Sequence, residues 1–193
     1  MKKYSVIYAD PPWRYKVYSK KGLGRSAESH YPTMSLEEIK ALPIGELAAK
    51  DCALFMWITF PCMQEAFQVL EAWGFEYKTV AFVWDKMIHN PGRYTLSQTE
   101  FVLAFKKGKF PTPRGARNIR QLLAVPRGKH SEKPVEVIDG ITRMFPSQDK
   151  IELFARKNYV GWDNWGLEIP GSKVEILTGN SADTENMTQS NLA

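Results

Sequence analysis

Two consecutive prolines near the start of the chain place the strongest constraint on how it folds. Residues 4–9 form a short apolar run rich in β-forming residues, and Asp10 follows this run directly. Pro11 and Pro12 come next. Proline fixes φ and lacks a backbone N–H, so neither a strand nor a helix continues through such a pair. The sequence therefore predicts a first strand that ends at a carboxylate.

The rest of the chain alternates between segments typical of strands and segments typical of helices. Ser35 begins a Ser-Leu-Glu-Glu capping box, which opens a helix. The expected helices cover residues 35–49, 61–73 and 133–145. The expected further strands cover residues 53–59, 76–84, 99–105, 150–155 and 158–165, with a polar loop containing His89 and Arg93 after the second of these. This alternation predicts an α/β domain with a largely parallel sheet, and ligands at the strand carboxyl ends, where Asp10 and Arg156 fall.

The length of 193 residues and the 44% share of hydrophobic residues fit a single domain with a substantial core. We expect that domain to cover residues 1–170, and the polar residues 171–193 to form a mobile tail. No apolar run approaches the roughly 18 residues that a membrane helix needs. Cys52 and Cys62 form no metal-binding or disulfide pattern, so we expect a cytoplasmic protein with no metal and no membrane partner.

Basic residues are concentrated in two segments, 14–25 and 106–129, that contain no acidic residue. Both segments are rich in Gly, Pro and Ser, which is typical of loops. Ordinary solvated loops would explain one such segment. Two of them, with aromatic residues interspersed, favour a polyanionic partner, most simply nucleic acid. The candidate substrate contacts from these segments are Arg14, Tyr15, Lys16, Lys20, Lys21, Arg25, Arg114, Arg117 and Arg120.

The tetrapeptide Asp10-Pro11-Pro12-Trp13 suits a planar ring that carries an exocyclic amine. The prolines rigidify the turn and leave carbonyl oxygens as acceptors, and the Asp10 carboxylate is a further acceptor. Trp13 offers a flat apolar surface on which the ring would stack. Two hydrogen bonds from the amine would draw its lone pair out of conjugation and make it a better nucleophile. A strand end with a capping Asp10 and a packed Trp13 is the simpler structural alternative.

The tetrapeptide and the residues before it resemble the signature of the MT-A70 family of adenine-N6 methyltransferases. The resemblance continues in order through residues 54–59 (LFMWIT), 73–75 (WGF), 100–108 (EFVLAFKKG), 130–134 (HSEKP), 151–156 (IELFAR) and 161–163 (GWD). It covers about residues 4–170 with the family's order and spacing. A tetrapeptide recurs by chance, whereas a collinear series of this length does not.

The resemblance implies a circularly permuted, Rossmann-like methyltransferase fold of β-class-like order, with a mostly parallel central sheet and helices on both faces. It also implies S-adenosyl-L-methionine as the cofactor. The residues implied for catalysis are Asp10, Pro11, Pro12 and Trp13. Those implied for cofactor binding are Asp10, Lys133, Glu152, Arg156, Asn158 and Glu168. Glu100, with Trp13, is implied to lie near the target base. Lys133 could instead be a solvent-exposed lysine at a helix start, and Glu152 an edge-strand acid.

Four positions depart from the family pattern. Leu167 precedes Glu168 where many members have Asn, and Glu132 stands where the eukaryotic RNA enzyme has His. After Arg156 that enzyme has a His–Asn pair, and this chain has Asn158 and Tyr159. We therefore expect rearranged contacts to the cofactor, with the tetrapeptide unaffected.

The sequence thus favours S-adenosylmethionine-dependent methyl transfer to adenine N6 in nucleic acid. One alternative is a catalytically silent nucleic-acid-binding subunit of a heteromeric methyltransferase, and another is methylation of a different amine. The motifs do not decide between DNA and RNA. By analogy, the small size favours a bacterial or phage DNA enzyme. We expect such an enzyme either to have relaxed sequence specificity or to gain recognition from a partner subunit. A homodimer is a further expectation.

Overall fold

The computed structural model describes residues 2–14, 33–92, 94–128, 132–166 and 169. Its helices are α1 (Leu36–Ala41), α2 (Ile44–Leu47), α3 (Met63–Trp73) and α4 (Val135–Met144), with a 3₁₀ turn at Phe60–Cys62. Its strands are β1 (Tyr4–Ala9), β2 (Ala48–Ile58), β3 (Glu76–Pro91), β4 (Leu96–Lys107), β5 (Leu122–Ala124), β6 (Lys150–Leu153) and β7 (Asp163–Trp165).

Within the described residues, the strands form one seven-stranded sheet in the order β5-β3-β4-β2-β1-β6-β7. Strand β1 is central and runs parallel to both of its neighbours, β2 and β6. Strand β4 is antiparallel to β2 and to β3, and the remaining pairs are parallel. The sheet is therefore mostly parallel with one reversed strand, as predicted, and Asp10 follows β1 at the carboxyl edge.

Helices cover both faces of the sheet because its central strands are apolar on both sides. Along β2, Cys52, Leu54 and Met56 pack into one buried cluster, which also contains the apolar residues of α1, α2 and α3. The alternate residues of β2, such as Phe55 and Trp57, pack into a second cluster with α4. Alternate side chains of β2 point to opposite faces of the sheet, and both faces are buried. The strand therefore reads as a continuous apolar run in the sequence.

The predicted helix over residues 35–49 is wrong in its length. The capping box at Ser35 is present, with the Glu38 backbone N–H donating to Ser35 Oγ. However, the first helix ends at Ala41 because Pro43 disfavours helical backbone in the residue before it, and a second short helix follows. Strand β2 then begins at Ala48, five residues before the predicted start.

The polar loop predicted between two strands is also wrong, because β3 and β4 continue through it as a hairpin. His89 lies within β3, and Asn90 and Pro91 still pair with β4. Lys106 and Lys107, which we assigned to a basic loop, lie in β4. The same basic segment contains β5, and the strand expected over residues 158–165 shortens to β7.

Several predictions fall outside the described residues. They concern the tail at 171–193, the loop residues Lys16, Lys20, Lys21 and Arg25, and the aromatic Tyr15. Among the described helices, none has the length and apolarity that crossing a membrane requires.

Candidate active site

Four charged side chains of alternating sign form a row at the carboxyl edge of the sheet. Asp10 Oδ1 lies 3.3 Å from Lys133 Nζ, and Lys133 Nζ lies 3.1 Å from Glu100 Oε2. Glu100 Oε1 is in turn 3.2 Å from Lys86 Nζ. The residues come from the end of β1, the start of α4, and the neighbouring strands β4 and β3. The fold thus brings together three predicted residues, and adds Lys86, for which the sequence held no signal.

Burial and pairing act in opposite directions on the protonation of this row. Burial raises the pKa of Asp10, and the nearby Lys133 only partly offsets this. Burial alone would lower the pKa of Lys133, but Asp10 and Glu100 hold it above its usual range. Burial would likewise raise the pKa of Glu100, which its two lysines bring below normal. Lys133 is therefore a permanent cation between two carboxylates, also placed 5.1 Å from the centre of the Trp57 ring.

The backbone of the tetrapeptide is a tight, hydrogen-bonded turn. The Trp13 N–H donates to the Pro11 carbonyl at 2.8 Å, and the Met34 N–H donates to the Pro12 carbonyl at 3.0 Å. Both proline carbonyls thus already accept one hydrogen bond, which differs from the free acceptors that we expected. A carbonyl oxygen has two lone pairs, so each retains the capacity to accept one more hydrogen bond.

Trp13 does not present the open stacking surface that we expected. Its side chain is 6% exposed and belongs to the buried cluster on the α1–α3 face, beside Met34. Its indole N–H is buried, without a hydrogen-bond partner among the residues that the structure describes. Since the ring packs against apolar side chains, the structure matches the simpler alternative of a packed Trp13 that anchors the turn.

A cavity of about 270 Å³ opens directly beside Asp10. Its walls are formed by Tyr8, Asp10, Glu132, Lys133, Pro134, Ile138, Glu152, Phe154, Arg156, Lys157 and Tyr159. A second cavity, of about 420 Å³, lies next to the first, and Lys133, Lys157 and Tyr159 line both of them. The second cavity extends to Trp84 and Val125. The tetrapeptide therefore lies at the edge of a space large enough for ligands.

Glu152 is the most unusual carboxyl group of the cavity. Burial, with a further contribution from Asp10, raises its pKa to about 8. Its Oε2 atom is buried and accepts no hydrogen bond from any described residue. A buried polar atom without a partner is costly. A ligand that brings hydroxyl or ammonium donors to this wall would supply the missing hydrogen bond.

Replacing Glu152 by Gln should make the protein more stable at alkaline pH. The pKa of Glu152 is about 8 in the folded chain and ordinary in the unfolded chain. Between these two pKa values the folded chain carries a proton on Glu152 that the unfolded chain has lost. The stability of the wild-type fold therefore falls as the pH rises from the lower pKa to the higher one. The stability gain of the variant over wild type should therefore grow by roughly 4 kcal/mol between about pH 5 and about pH 9.

Urea unfolding across this pH range would measure the gain. Glu71→Gln, which removes an exposed acid near the end of α3, is the matched control. A gain that stays constant with pH would show that Glu152 is ionised throughout the range.

The other predicted cofactor residues are placed differently from one another. Arg156 lines the cavity after β6, as predicted. Asn158 does not line it, because its side-chain oxygen accepts a 2.5 Å hydrogen bond from Asn164 Nδ2. Glu132 and Tyr159, two of the positions that depart from the family pattern, are cavity walls, and Glu132 pairs with Lys157. Glu168 lies outside the described residues.

The predicted basic contacts that the structure describes, Arg14, Arg114, Arg117 and Arg120, do not line the cavity. Arg14 is exposed, just beyond the tetrapeptide. The Arg114 guanidinium lies 5.7 Å from the centre of the Phe145 ring, at the C-terminal end of α4, whereas Lys133 precedes its N-terminal end. Arg114 is therefore at the opposite edge of the sheet from Asp10. Arg117 and Arg120 are exposed on the segment that leads back towards β5.

The sequence analysis missed several cavity residues, and one of them had a readable signal. Tyr8 precedes Asp10 by two positions, so the period-2 geometry of a strand directs both side chains to the same face. Its hydroxyl accepts a hydrogen bond from the Trp57 indole N–H. Phe154 gave no comparable signal, because it lies just after the end of β6.

Comparisons with known proteins identify the family of the chain. The MT-A70 family model matches residues 4–168. The chain is 62% identical over 197 residues to the type II methyltransferase M.MunI of Mycoplasma sp., covering 94% of this chain and 84% of that protein. It is 29% identical to the mouse N(6)-adenine-specific methyltransferase METTL4, covering 87% of this chain and 38% of METTL4.

The human N(6)-adenosine-methyltransferase catalytic subunit METTL3 is 28% identical over 179 residues, which cover 88% of this chain and 29% of METTL3. The chain thus spans well under half of these longer relatives. The family match extends over most of the chain and includes the tetrapeptide, Lys133 and the β6 residues. The chain belongs to the MT-A70 family and is a methyltransferase.

Proposed function

We propose that this protein transfers a methyl group from S-adenosylmethionine to the N6 amine of adenine in nucleic acid, with DNA as the favoured polymer. The observation that carries the proposal is the position of Asp10. It is a carboxylate held at the end of the central strand by a hydrogen-bonded proline turn, at the edge of a cavity whose wall also contains an unsatisfied acceptor, Glu152.

The cavity beside Asp10 has the charges that S-adenosylmethionine requires. This cofactor carries a carboxylate, an ammonium group, two ribose hydroxyls and a sulfonium-bound methyl group that is open to nucleophilic attack. Lys133 and Arg156 would hold the carboxylate, and Asp10 the ammonium group. Glu152 Oε2 would accept from a hydroxyl or an ammonium donor. These contacts fit the residues present, since each brings together opposite charges or a donor and an unpaired acceptor.

Asp10 would also bind the target amine. Its Oδ1 atom lies 3.3 Å from Lys133 Nζ, and its second oxygen, Oδ2, would accept from the target amine. An amine that donates to this oxygen and to the second lone pair of a proline carbonyl would be fixed in position and made more nucleophilic. Positioning of this kind supplies a large part of the rate in a transfer reaction. The methylated amine is acidic and loses its proton without a dedicated base.

The identity of the base and of the polymer rests on the comparisons with known proteins. Adenine is supported by the names of METTL4 and METTL3, and DNA is favoured by the similarity to the type II methyltransferase M.MunI. The exposed basic residues of the segment before β5 would hold phosphates. We further propose a cytoplasmic enzyme of one domain, residues 1–170, with Glu100 near the target base and either a second copy or another subunit contributing to recognition.

The decisive experiment is transfer of labelled methyl from S-adenosylmethionine to matched duplex DNA, single-stranded DNA and RNA. Digestion of the product should release labelled N6-methyladenine, most of it from DNA. Label confined to RNA would replace DNA with RNA in the proposal. Cofactor binding without transfer to any polymer would favour the silent-subunit function. Label on cytosine would move the site to a different amine.

A further inference from the structure

The β3–β4 hairpin projects beyond the rest of the sheet on the side of the candidate active site. Strand β2 stops pairing with β4 at Phe101, and β5 stops pairing with β3 at Asp85. Past these points, Asn90 still pairs with Ser97, and Pro91 with Leu96. We call residues 87–98 the hairpin extension, of which all but residue 93 are described. From Phe101 to Leu96 it reaches roughly 17 Å beyond β2, at about 3.3 Å per residue.

Specific contacts fix the conformation of the extension. The register shifts between Asp85 and Asn90, and within this bulge Met87 has φ +53°, a left-handed backbone that is unfavourable for a residue with a side chain. Asp85 Oδ1 holds the bulge by accepting hydrogen bonds from the Met87 N–H at 2.8 Å and from Gln98 Nε2 at 2.7 Å. At the tip, a Cβ on Gly92 would lie 2.3 Å from the Thr95 carbonyl oxygen, so only glycine fits this turn.

The extension exposes apolar side chains to an unusual degree. Tyr94 is 92% exposed, Leu96 64%, Met87 60% and Ile88 40%. Exposing several large apolar side chains to water on one narrow hairpin is unfavourable. Such exposure is typical of a surface that binds a partner, which removes these side chains from water. Wide aliphatic and aromatic side chains of this kind are also those that proteins insert between the stacked bases of a duplex.

The base of the extension is tied to the row of charges at the site. Lys86, the residue before the extension, pairs with Glu100, which pairs with Lys133 beside Asp10. The Arg127 N–H donates to the Lys86 carbonyl, so the basic segment passes along the same position. A duplex whose phosphates contact the exposed Arg127 would thus meet the extension close to the cavity.

An adenine in a duplex must leave the stack before its N6 amine reaches Asp10, and the gap it leaves is unfavourable. We propose that the hairpin extension is a wedge that enters this gap, with Tyr94, Met87 and Leu96 replacing the stacking of the displaced adenine. This inference rests on the proposed function. A second copy of the chain is the competing occupant. It is disfavoured because a symmetric contact at this position would bring the basic segments of the two copies together.

The test compares Tyr94→Ser and the double variant Met87→Ser/Leu96→Ser with wild type. The matched control is Phe67→Ser, which removes an aromatic side chain that is 43% exposed on α3. The substrates are a matched duplex, its single strand, and a duplex with an abasic site opposite the target adenine. On the matched duplex we expect kcat/KM of the variants to fall by about tenfold or more, since the lost wedge leaves an unstacked gap. On the other two substrates we expect little change.

A second readout does not depend on methyl transfer. With 2-aminopurine at the target position of the duplex, wild type and Phe67→Ser should raise the fluorescence on binding, because the base leaves the stack, and the wedge variants should raise it less. The wedge would be overturned if kcat/KM of the variants fell equally on all three substrates. It would also be overturned if the variants raised the fluorescence as much as wild type does. A wild-type dimer that the variants convert to monomers would overturn it as well. Failure of wild type to methylate any polymer would instead contradict the proposed function, and the fluorescence would still decide on the wedge.

Discussion

Replacement of Asp10 by Asn is expected to reduce the rate of methyl transfer by about a thousandfold, because catalytic hydrogen-bond partners of this kind contribute roughly 100- to 1,000-fold each. The substitution preserves the size of the side chain and its place in the proline turn. It removes the negative charge that would polarise the target amine and bind the ammonium group of the cofactor.

The fold should tolerate this change. Burial raises the pKa of Asp10, which means that the charged form is costly in the folded state. Lys133 would keep Glu100 as its partner. Single-turnover transfer of labelled methyl, with thermal unfolding of both proteins as the control, would measure the two effects separately. An Asp10→Asn variant that transfers methyl at a near-normal rate would exclude Asp10 from the chemistry, whereas an unfolded variant would contradict the expected tolerance of the fold.

Replacement of Lys133 by Met should destabilise the fold by about 3 kcal/mol or more at neutral pH, since removing one partner of a buried ion pair leaves an uncompensated charge. Here the lysine lies between two carboxylates, Asp10 and Glu100, so its loss leaves both of them facing each other. Without the cation their pKa values rise, and the variant should recover part of its stability at about pH 5, where they take up protons.

Two further variants separate this effect from the loss of packing. Adding Glu100→Gln to Lys133→Met removes one of the two charges and should restore more than half of the lost stability. Lys86→Met removes only the outer cation, and because Glu100 retains Lys133, it should have a much smaller effect. Urea unfolding of the four proteins would provide the comparison. A double variant no more stable than Lys133→Met would mean that the lysine acts through packing against Trp57.

The architecture was largely predictable because its signals are local. The proline pair ends β1, and Gly74, with φ +75°, ends α3 as a helix C-terminal glycine does. The errors occurred where tertiary contacts outweigh local composition. His89 and Asn90 are polar, yet they lie in a strand because the opposite strand of the hairpin supplies hydrogen bonds that composition does not reveal. Strand β5 was hidden in the same way within a basic segment.

The site was predictable only in part. Asp10 is recognisable from the tetrapeptide alone, and Lys133 and Glu152 from their family motifs. No local signal indicates that Lys133 pairs with both Asp10 and Glu100, because these contacts join segments far apart in the chain. The burial of Trp13 was missed for a related reason. An aromatic residue after a turn stacks on a ligand or fills a core with equal ease, and only the packed structure distinguishes these outcomes.

The central position of β1 has a consequence for protein synthesis. Val6 pairs with Lys150, so one side of the strand that holds Asp10 has no neighbour until β6 has been synthesised and has left the ribosome. The partial sheet β1-β2-β4-β3 is complete much earlier, but it lacks the β6 wall with Glu152 and Arg156. Under the proposed function, a nascent chain therefore has the carboxylate that binds the target amine before it has the cavity for the cofactor, and methyl transfer has to wait for β6.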